Sequence, residues 1–323
     1  MSDRRAFVRT LAAGLLLTPF SAAGVQENTL RRVGWLSLGQ PWNLHEFRDK
    51  LKELGWIEGR NLIVDARFAG NEADRLPTLA AELVNLSVDV IVTQSTAAAM
   101  AAKNATTIIP IVMAGSSNPE GNGLVGSLAR PGGNVTGMTH SPGSGFAGKL
   151  VQLIKEAAPR VSRLAVLDRS GVGGSPWQYM EADTSGSGVE MIWALANTHA
   201  EVPRALTAAL RQGADSLFVP STPVNEAVDR WLAGFALTHR LPAIAGSKSM
   251  VSVGILMSYW ADWGEVRRRA AVYVDKILKG ATPGDLPVER PTKFELAINL
   301  STARSLRLTI PQALLLRADE LFE

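Results

Sequence analysis

The sequence contains no cysteine. That excludes disulfides, thiolate metal sites, cysteine nucleophiles and a lipid-modified N-terminal cysteine. Histidine is scarce as well. His45, His140, His199 and His239 are scattered, no His-Glu-x-x-His occurs, and no Gly-x-Ser-x-Gly marks a serine nucleophile. No metal site and no catalytic constellation are therefore expected. Neither sign of charge dominates: 33 Lys and Arg against 30 Asp and Glu leave +3, with no basic stripe and no interleaved aromatics, so no nucleic-acid partner is expected. Beyond the first residues, no apolar run approaches the roughly 20 residues of a membrane span.

What is present begins with an export signal. Arg4-Arg5-Ala6-Phe7-Val8-Arg9 is a charged start, Leu11 to Phe20 a short apolar run, and Ser21-Ala22-Ala23-Gly24 supplies small residues suited to signal cleavage. The paired arginines fit a twin-arginine signal or an ordinary secretory one. Residues 1–24 are thus expected to be removed and the mature protein to be soluble and periplasmic.

Strand-like and helix-like segments then alternate at short spacing, which predicts parallel sheets wrapped by helices. Two stretches echo each other. Leu76-Pro77 to Val88-Asp89-Val90-Ile91-Val92-Thr93-Gln94-Ser95-Thr96 resembles Val202-Pro203 to Ala214-Asp215-Ser216-Leu217-Phe218-Val219-Pro220-Ser221-Thr222. At one offset Pro77 meets Pro203, Asp89 meets Asp215, and Ser95-Thr96 meets Ser221-Thr222; Ile109-Pro110-Ile111 and Leu241-Pro242-Ala243 follow in the same order. Such a repeat predicts two similar α/β lobes around a cleft. The expected division is 31–138 with a return segment near 248–291 for the first lobe and 139–247 for the second, with 292–323 unassigned. A helix is expected at Pro311 to Phe322.

In open parallel sheets, ligands gather beyond the carboxyl ends of the strands. The polar residues there are Ser37, Gln94, Ser95, Thr96, Gly115-Ser116-Ser117, Thr139, Asp168, Ser221-Thr222, Gly246, Ser247 and Tyr259. They are mostly hydroxyls and glycines, suited to binding through hydrogen bonds. Ser95 and Thr96 open a helix, where hydroxyls and N–H groups can hold a carboxylate. Trp35, Trp193 and Trp231 lie on apolar patterns and are expected in the core; Trp42 and Trp260 fall just past strand ends, where they could stack on an apolar ligand or pack at a hinge.

Several stretches resemble the ABC-transporter substrate-binding proteins related to tryptophan and tyrosine uptake. They are Arg75-Leu76-Pro77-x-Leu79-Ala80-Ala81-Glu82-Leu83-Val84, Val88 to Val92, Gly123-Leu124-Val125-x-Ser127-Leu128-Ala129-Arg130-Pro131-Gly132-Gly133-Asn134-Val135-Thr136-Gly137, and Leu286-Pro287-Val288-Glu289-x-Pro291-Thr292-Lys293-Phe294-Glu295-Leu296. The resemblance implies a type I periplasmic-binding-protein-like fold, with two doubly wound lobes joined by a hinge. It implies no cofactor, a monomer that closes on an amino-acid-like carboxylate near Ser95-Thr96, and delivery to a membrane permease. The chain departs from the family pattern at Asn118-Pro119, Asp168-Arg169 and Trp260, all at the expected cleft.

One motif competes. Gly143-Ser144-Gly145-Phe146-Ala147-Gly148 is a full G-x-G-x-x-G with Asp168 about 20 residues on, the pattern of a dinucleotide fingerprint. It would make the protein an exported NAD(P)-dependent oxidoreductase. Against it, the preceding Thr139-His140-Ser141-Pro142 is polar where a fingerprint strand is apolar. As a P-loop it fails because Leu150 follows Lys149.

Overall fold

A parallel strand covered on both faces is apolar along its whole length, and the chain supplies such runs in two matched sets. The computed structural model describes residues 30–39, 44–141, 143, 145–168, 180, 184–222, 225 and 227–323; residues 1–24, expected to be an export signal, and Trp42 lie outside them. The first set forms a five-stranded parallel sheet of β1 (Arg31–Ser37), β2 (Leu62–Phe68), β3 (Val90–Gln94), β4 (Ile111–Ser116) and β5 (Val135–Thr139), in the order β2-β1-β3-β4-β5. The second set comprises β6 (Arg163–Asp168), β7 (Glu190–Leu195), β8 (Ser216–Val219), β9 (Ala243–Ala245) and β10 (Met257–Ala261). Their order, β7-β6-β8-β9-β10, repeats the first sheet, and β11 (Phe294–Asn299) and β12 (Glu320–Phe322) extend it to seven strands. The two expected lobes are present.

The repeated residues do the same work in each lobe. In the first, Asp89 accepts the Arg32 N–H at 2.7 Å and donates its own N–H to the Arg32 carbonyl. In the second, Asp215 accepts the Arg163 N–H at 2.9 Å and donates to the Arg163 carbonyl. The Pro110 carbonyl accepts from Ile91 as the Pro242 carbonyl accepts from Leu217. Proline needs no N–H in the first turn of a helix, and Pro77 and Pro203 occupy that turn in α2 (Leu76–Asn85) and α5 (Val202–Arg211).

Helix α1 (His45–Glu53) buries Phe47 and Leu51. α3 (Thr96–Ala105) turns its alanines onto the first sheet, and α4 (Phe146–Ala157) buries an apolar face from Phe146 to Ala157 in the second lobe. α6 (Asp229–Thr238) and the short α7 (Lys248–Ser252) complete that lobe's cover. The long α8 (Trp263–Leu278) belongs to the first. Its Val266, Ala270, Tyr273 and Val274 share one core with Trp35, Phe47 and Val92.

The chain therefore changes lobe after β5, after β10 and before β11. The return to the first lobe starts at Trp263 rather than near 248. Residues 248–261 form α7 and β10, and β10 pairs with β9 at Met257↔Ile244. The expected helix at 311–322 is also replaced. A short α9 (Leu300–Ser305) and α10 (Gln312–Leu315) precede β12. Asp319 and Leu296 exchange two 2.8 Å hydrogen bonds beside β11, so sheet pairing overrides helical spacing there. Trp231, expected in the core, is 40 % exposed and stacks on Phe235.

Candidate functional site

Strand β3 ends at Gln94, and the next residue carries the turn into α3. Ser95 sits at φ 133°, ψ 158°, a conformation that favours glycine. Strain of this kind costs roughly 1–3 kcal/mol and persists where surrounding contacts enforce it. Here the Ser95 hydroxyl caps α3 by accepting the Ala98 N–H at 3.1 Å. The turn thus aims the amino end of a ten-residue helix, with its partial positive charge, past the end of β3.

Thr96 ties this turn to β4. Its Oγ1 accepts from Ser116 Oγ at 3.2 Å and from the Ser117 N–H at 3.0 Å, and shares a 3.0 Å hydrogen bond with Ser117 Oγ. The Ser116 carbonyl in turn accepts from Thr139 Oγ1 at 2.6 Å and from the His140 N–H at 3.1 Å. Thr96, Ser116, Ser117 and Thr139, brought from the ends of three strands, therefore form one hydrogen-bonded group, with Ser95 and Gly115 their chain neighbours. Their exposures differ. Ser116 and Thr139 are fully buried; Ser95, Thr96 and Ser117 are half-buried. Ser37 is buried, and its hydroxyl accepts the Gly39 N–H at 3.2 Å.

In the second lobe, Gly246 and Ser221 come together. A Cβ on Gly246 would stand 2.7 Å from the Ser221 N–H, so the ends of β8 and β9 approach this closely only with glycine there. Asp168 is half-buried at the end of β6. Ser247 starts α7, its hydroxyl 2.6 Å from that of Ser249. Tyr259 is not gathered with these residues. It stacks between Phe146 and Phe294 at centroid distances of 5.6 and 5.5 Å, inside the second lobe. Burial raises its phenol above the ordinary range. Trp260 is buried in the same core and offers no face to a ligand. The tryptophan that does approach the site is Trp263. The sequence alone gives it no role, because it falls just ahead of the helical spacing that starts at Glu265.

The first two crossings leave from the carboxyl ends of β5 and β10, beside the carboxyl-end loops of their lobes. His140, on the first crossing, has its ring 5.4 Å from Trp263 at the start of α8 and 6.4 Å from Trp260 in β10. Asp262 joins the second crossing to the third. It caps α8 through the Glu265 N–H at 3.0 Å, accepts Lys293 Nζ at 2.8 Å, and donates its N–H to the Lys293 carbonyl. Burial pushes the His140 imidazole down to about 4, against an upward pull from the Gly115 backbone, and its Nδ1 is buried without a partner.

That histidine has a pH signature. Its folded value lies below the ordinary 6.5, so the unfolded chain takes up the proton first. Stability is then intact above about pH 6.5 and lost as pH falls toward 4, at up to about 1.4 kcal/mol per unit. Glu46, Asp262 and Glu289 are held below their ordinary range by Arg267, Lys293 and Arg269, with burial opposing, so their losses come at lower pH. Thermal unfolding between pH 7 and 4.5 should show a steeper decline in the wild type than in His140→Gln. Parallel curves would remove His140 from this account.

The Gly143–Gly148 motif is not a dinucleotide turn. A fingerprint joins a strand and a helix of one sheet. Here β5 is the edge of the first sheet, whereas α4 packs in the core of the second lobe with Val166 and Phe218. Gly143 and Gly145 lie on the crossing between lobes, and Gly148 lies within α4. Among the described residues no group of three or more His, Asp or Glu is placed to hold a metal ion.

Comparison with known proteins agrees with the two-lobe fold. A family model described as ABC transporter substrate binding protein matches residues 43–322. A curated tyrosine-binding protein of Clostridioides difficile is 28% identical over 262 residues, covering 80% of this chain and 75% of that protein. The structure of an ABC domain from Streptococcus pneumonia in complex with L-Trp superimposes with a TM-score of 0.82 at 26% identity, over 91% of this chain and 100% of that one. A conserved domain protein from Vibrio cholerae has the same TM-score at 29% identity, over 91% and 100% of the two chains.

Proposed function

The chain belongs to the ABC transporter substrate binding protein family, and from that premise we propose that it binds a small amino-acid-like carboxylate, with aromatic or apolar side chains favoured. The site would be the cleft between the lobes, and the two lobes would close on the ligand about the crossings after β5, after β10 and before β11. The observation that carries this reading is the strained, capped turn at Ser95 with the Thr96–Ser116–Ser117 hydroxyl group beside it. A helix amino end flanked by hydroxyl donors favours an anion. Ser37, Gln94, Ser95, Thr96 and Gly115 would contribute from the first lobe, and Asp168, Ser221, Gly246 and Ser247 from the second. The similarity to a tyrosine-binding protein and to a structure holding L-Trp supports an aromatic ligand.

The protein would work outside the cytoplasm as a monomer, handing its ligand to the permease of an ABC importer without chemical change. No helix among the described residues is long and apolar enough to cross a membrane, in keeping with a membrane partner that supplies the channel.

Thermal unfolding against a panel tests this. A ligand at a hundredfold over its Kd adds about 2.7 kcal/mol, and each kcal/mol moves a chain of this size by roughly 2–4 °C. L-tyrosine or L-tryptophan should raise the midpoint, whereas tyramine, which lacks the carboxylate, and NAD(P) should not. Equal shifts with tyrosine and tyramine would remove the carboxylate from the recognition.

A further inference from the structure

We propose that Trp263 is a positioning residue that couples the hydroxyl site to the angle between the lobes, an inference that rests on the binding reading above. Trp263 is the first residue of α8, directly after the second crossing. Its half-buried ring packs against both the core that contains Trp35 and Phe47 and the core that contains Phe146 and Trp260. A side chain shared by two cores cannot keep both contacts when one lobe rotates on the other, because packed interfaces switch between arrangements instead of stretching.

The same ring lies on the strand that carries the site. Gly115 is at φ 101°, where β4 shifts register against β5 between Ala114 and Ser116. A Cβ there would stand 2.5 Å from the Trp263 ring, so the indole rests directly on the Gly115 backbone. The next residue, Ser116, donates to Thr96 Oγ1 at 3.2 Å. From ring to site there are thus two contacts, Trp263 on Gly115 and Ser116 on Thr96. His140, 5.4 Å from the ring and joined to the Ser116 carbonyl through its N–H, links the first crossing to the same point. A ligand that fixes Thr96 and Ser117 would fix Gly115, and through it one of the two seats of the indole.

The absence of cysteine in the sequence allows clean spin labelling. Labels at Lys52→Cys on α1 and Ala208→Cys on α5, both exposed, report the distance between the lobes. Trp263→Ala should broaden that distance distribution without ligand, abolish its shift on adding L-tyrosine, and weaken the calorimetric Kd by about tenfold. Trp263→Phe, which keeps a ring on Gly115, should restore most of both. Trp56→Phe is the control for lost stability alone: Trp56 bonds Asp275 at 2.9 Å within the first core and should unfold earlier with an unchanged distance distribution. A Trp263→Ala distribution identical to the wild type, with and without ligand, would overturn the proposal. If the wild type binds no aromatic amino acid, the ligand reading falls, while the ligand-free comparison still decides the role of Trp263.

Discussion

Replacing Gly137 with alanine is expected to destabilise the first lobe by about 4 kcal/mol, combining backbone strain with an overpacked core. Gly137 lies on β5 at φ 119°, directly opposite Met113 of β4. A Cβ would collide with the Met113 carbonyl oxygen and stand 2.5 Å from the Met113 N. Both obstacles are backbone, so no rotamer change relieves them; β4 and β5 would have to separate. Domains of ordinary stability hold only about 5–15 kcal/mol in total, and β4 ends in Gly115 and Ser116 of the proposed site. Urea unfolding should show a large fall in midpoint for Gly137→Ala. The companion Gly133→Ala, where a Cβ meets nothing within 4 Å, should stay within about 0.5 kcal/mol of the wild type. Equal, small effects at both positions would contradict the close β4–β5 approach.

Thr96→Val should weaken binding of an aromatic amino acid by about a hundredfold with the fold retained. The change keeps the shape and removes one hydroxyl. That hydroxyl meets Ser116 Oγ, Ser117 Oγ and the Ser117 N–H. Its loss would release Ser117, whose half-buried hydroxyl and N–H the proposed site presents to the anion. Hydrogen bonds to charged groups contribute roughly 1.5–3 kcal/mol each, and about 2.7 kcal/mol is a hundredfold in Kd. Thr96→Ser keeps the hydroxyl and should lose far less. Titration calorimetry on the three proteins, with urea midpoints as the measure of folding, separates affinity from stability. An unchanged Kd for Thr96→Val would move the carboxylate elsewhere in the cleft.

The sequence carried the two-lobe plan because repeated residues perform repeated backbone tasks. Asp89 and Asp215 each bind the start of a central strand, and Pro77 and Pro203 each open a helix, so identity survived at those positions. The hydroxyls at strand ends were legible for a related reason, since a strand running into a helix exposes its turn. What was not legible depends on contacts between distant segments. Tyr259 ends no strand: it lies inside β10 and stacks on Phe146 and Phe294, partners far off in the chain. Trp231 follows a helical apolar pattern, yet its ring meets Phe235 on an exposed face. Trp263 stands just ahead of the helical spacing from Glu265 and has no visible task until the fold lays it on Gly115. The return point of the chain was misplaced because β10 is as apolar as a first-lobe strand, and only its pairing with β9 assigns it.

Binding of an amino acid between the lobes is tested most directly by calorimetric titration of the ligand-stripped protein with L-tyrosine and with L-tryptophan. The account predicts saturable binding of one equivalent of at least one of them, at a Kd of about micromolar or tighter, with no heat from tyramine. A folded protein that takes up neither amino acid would contradict it.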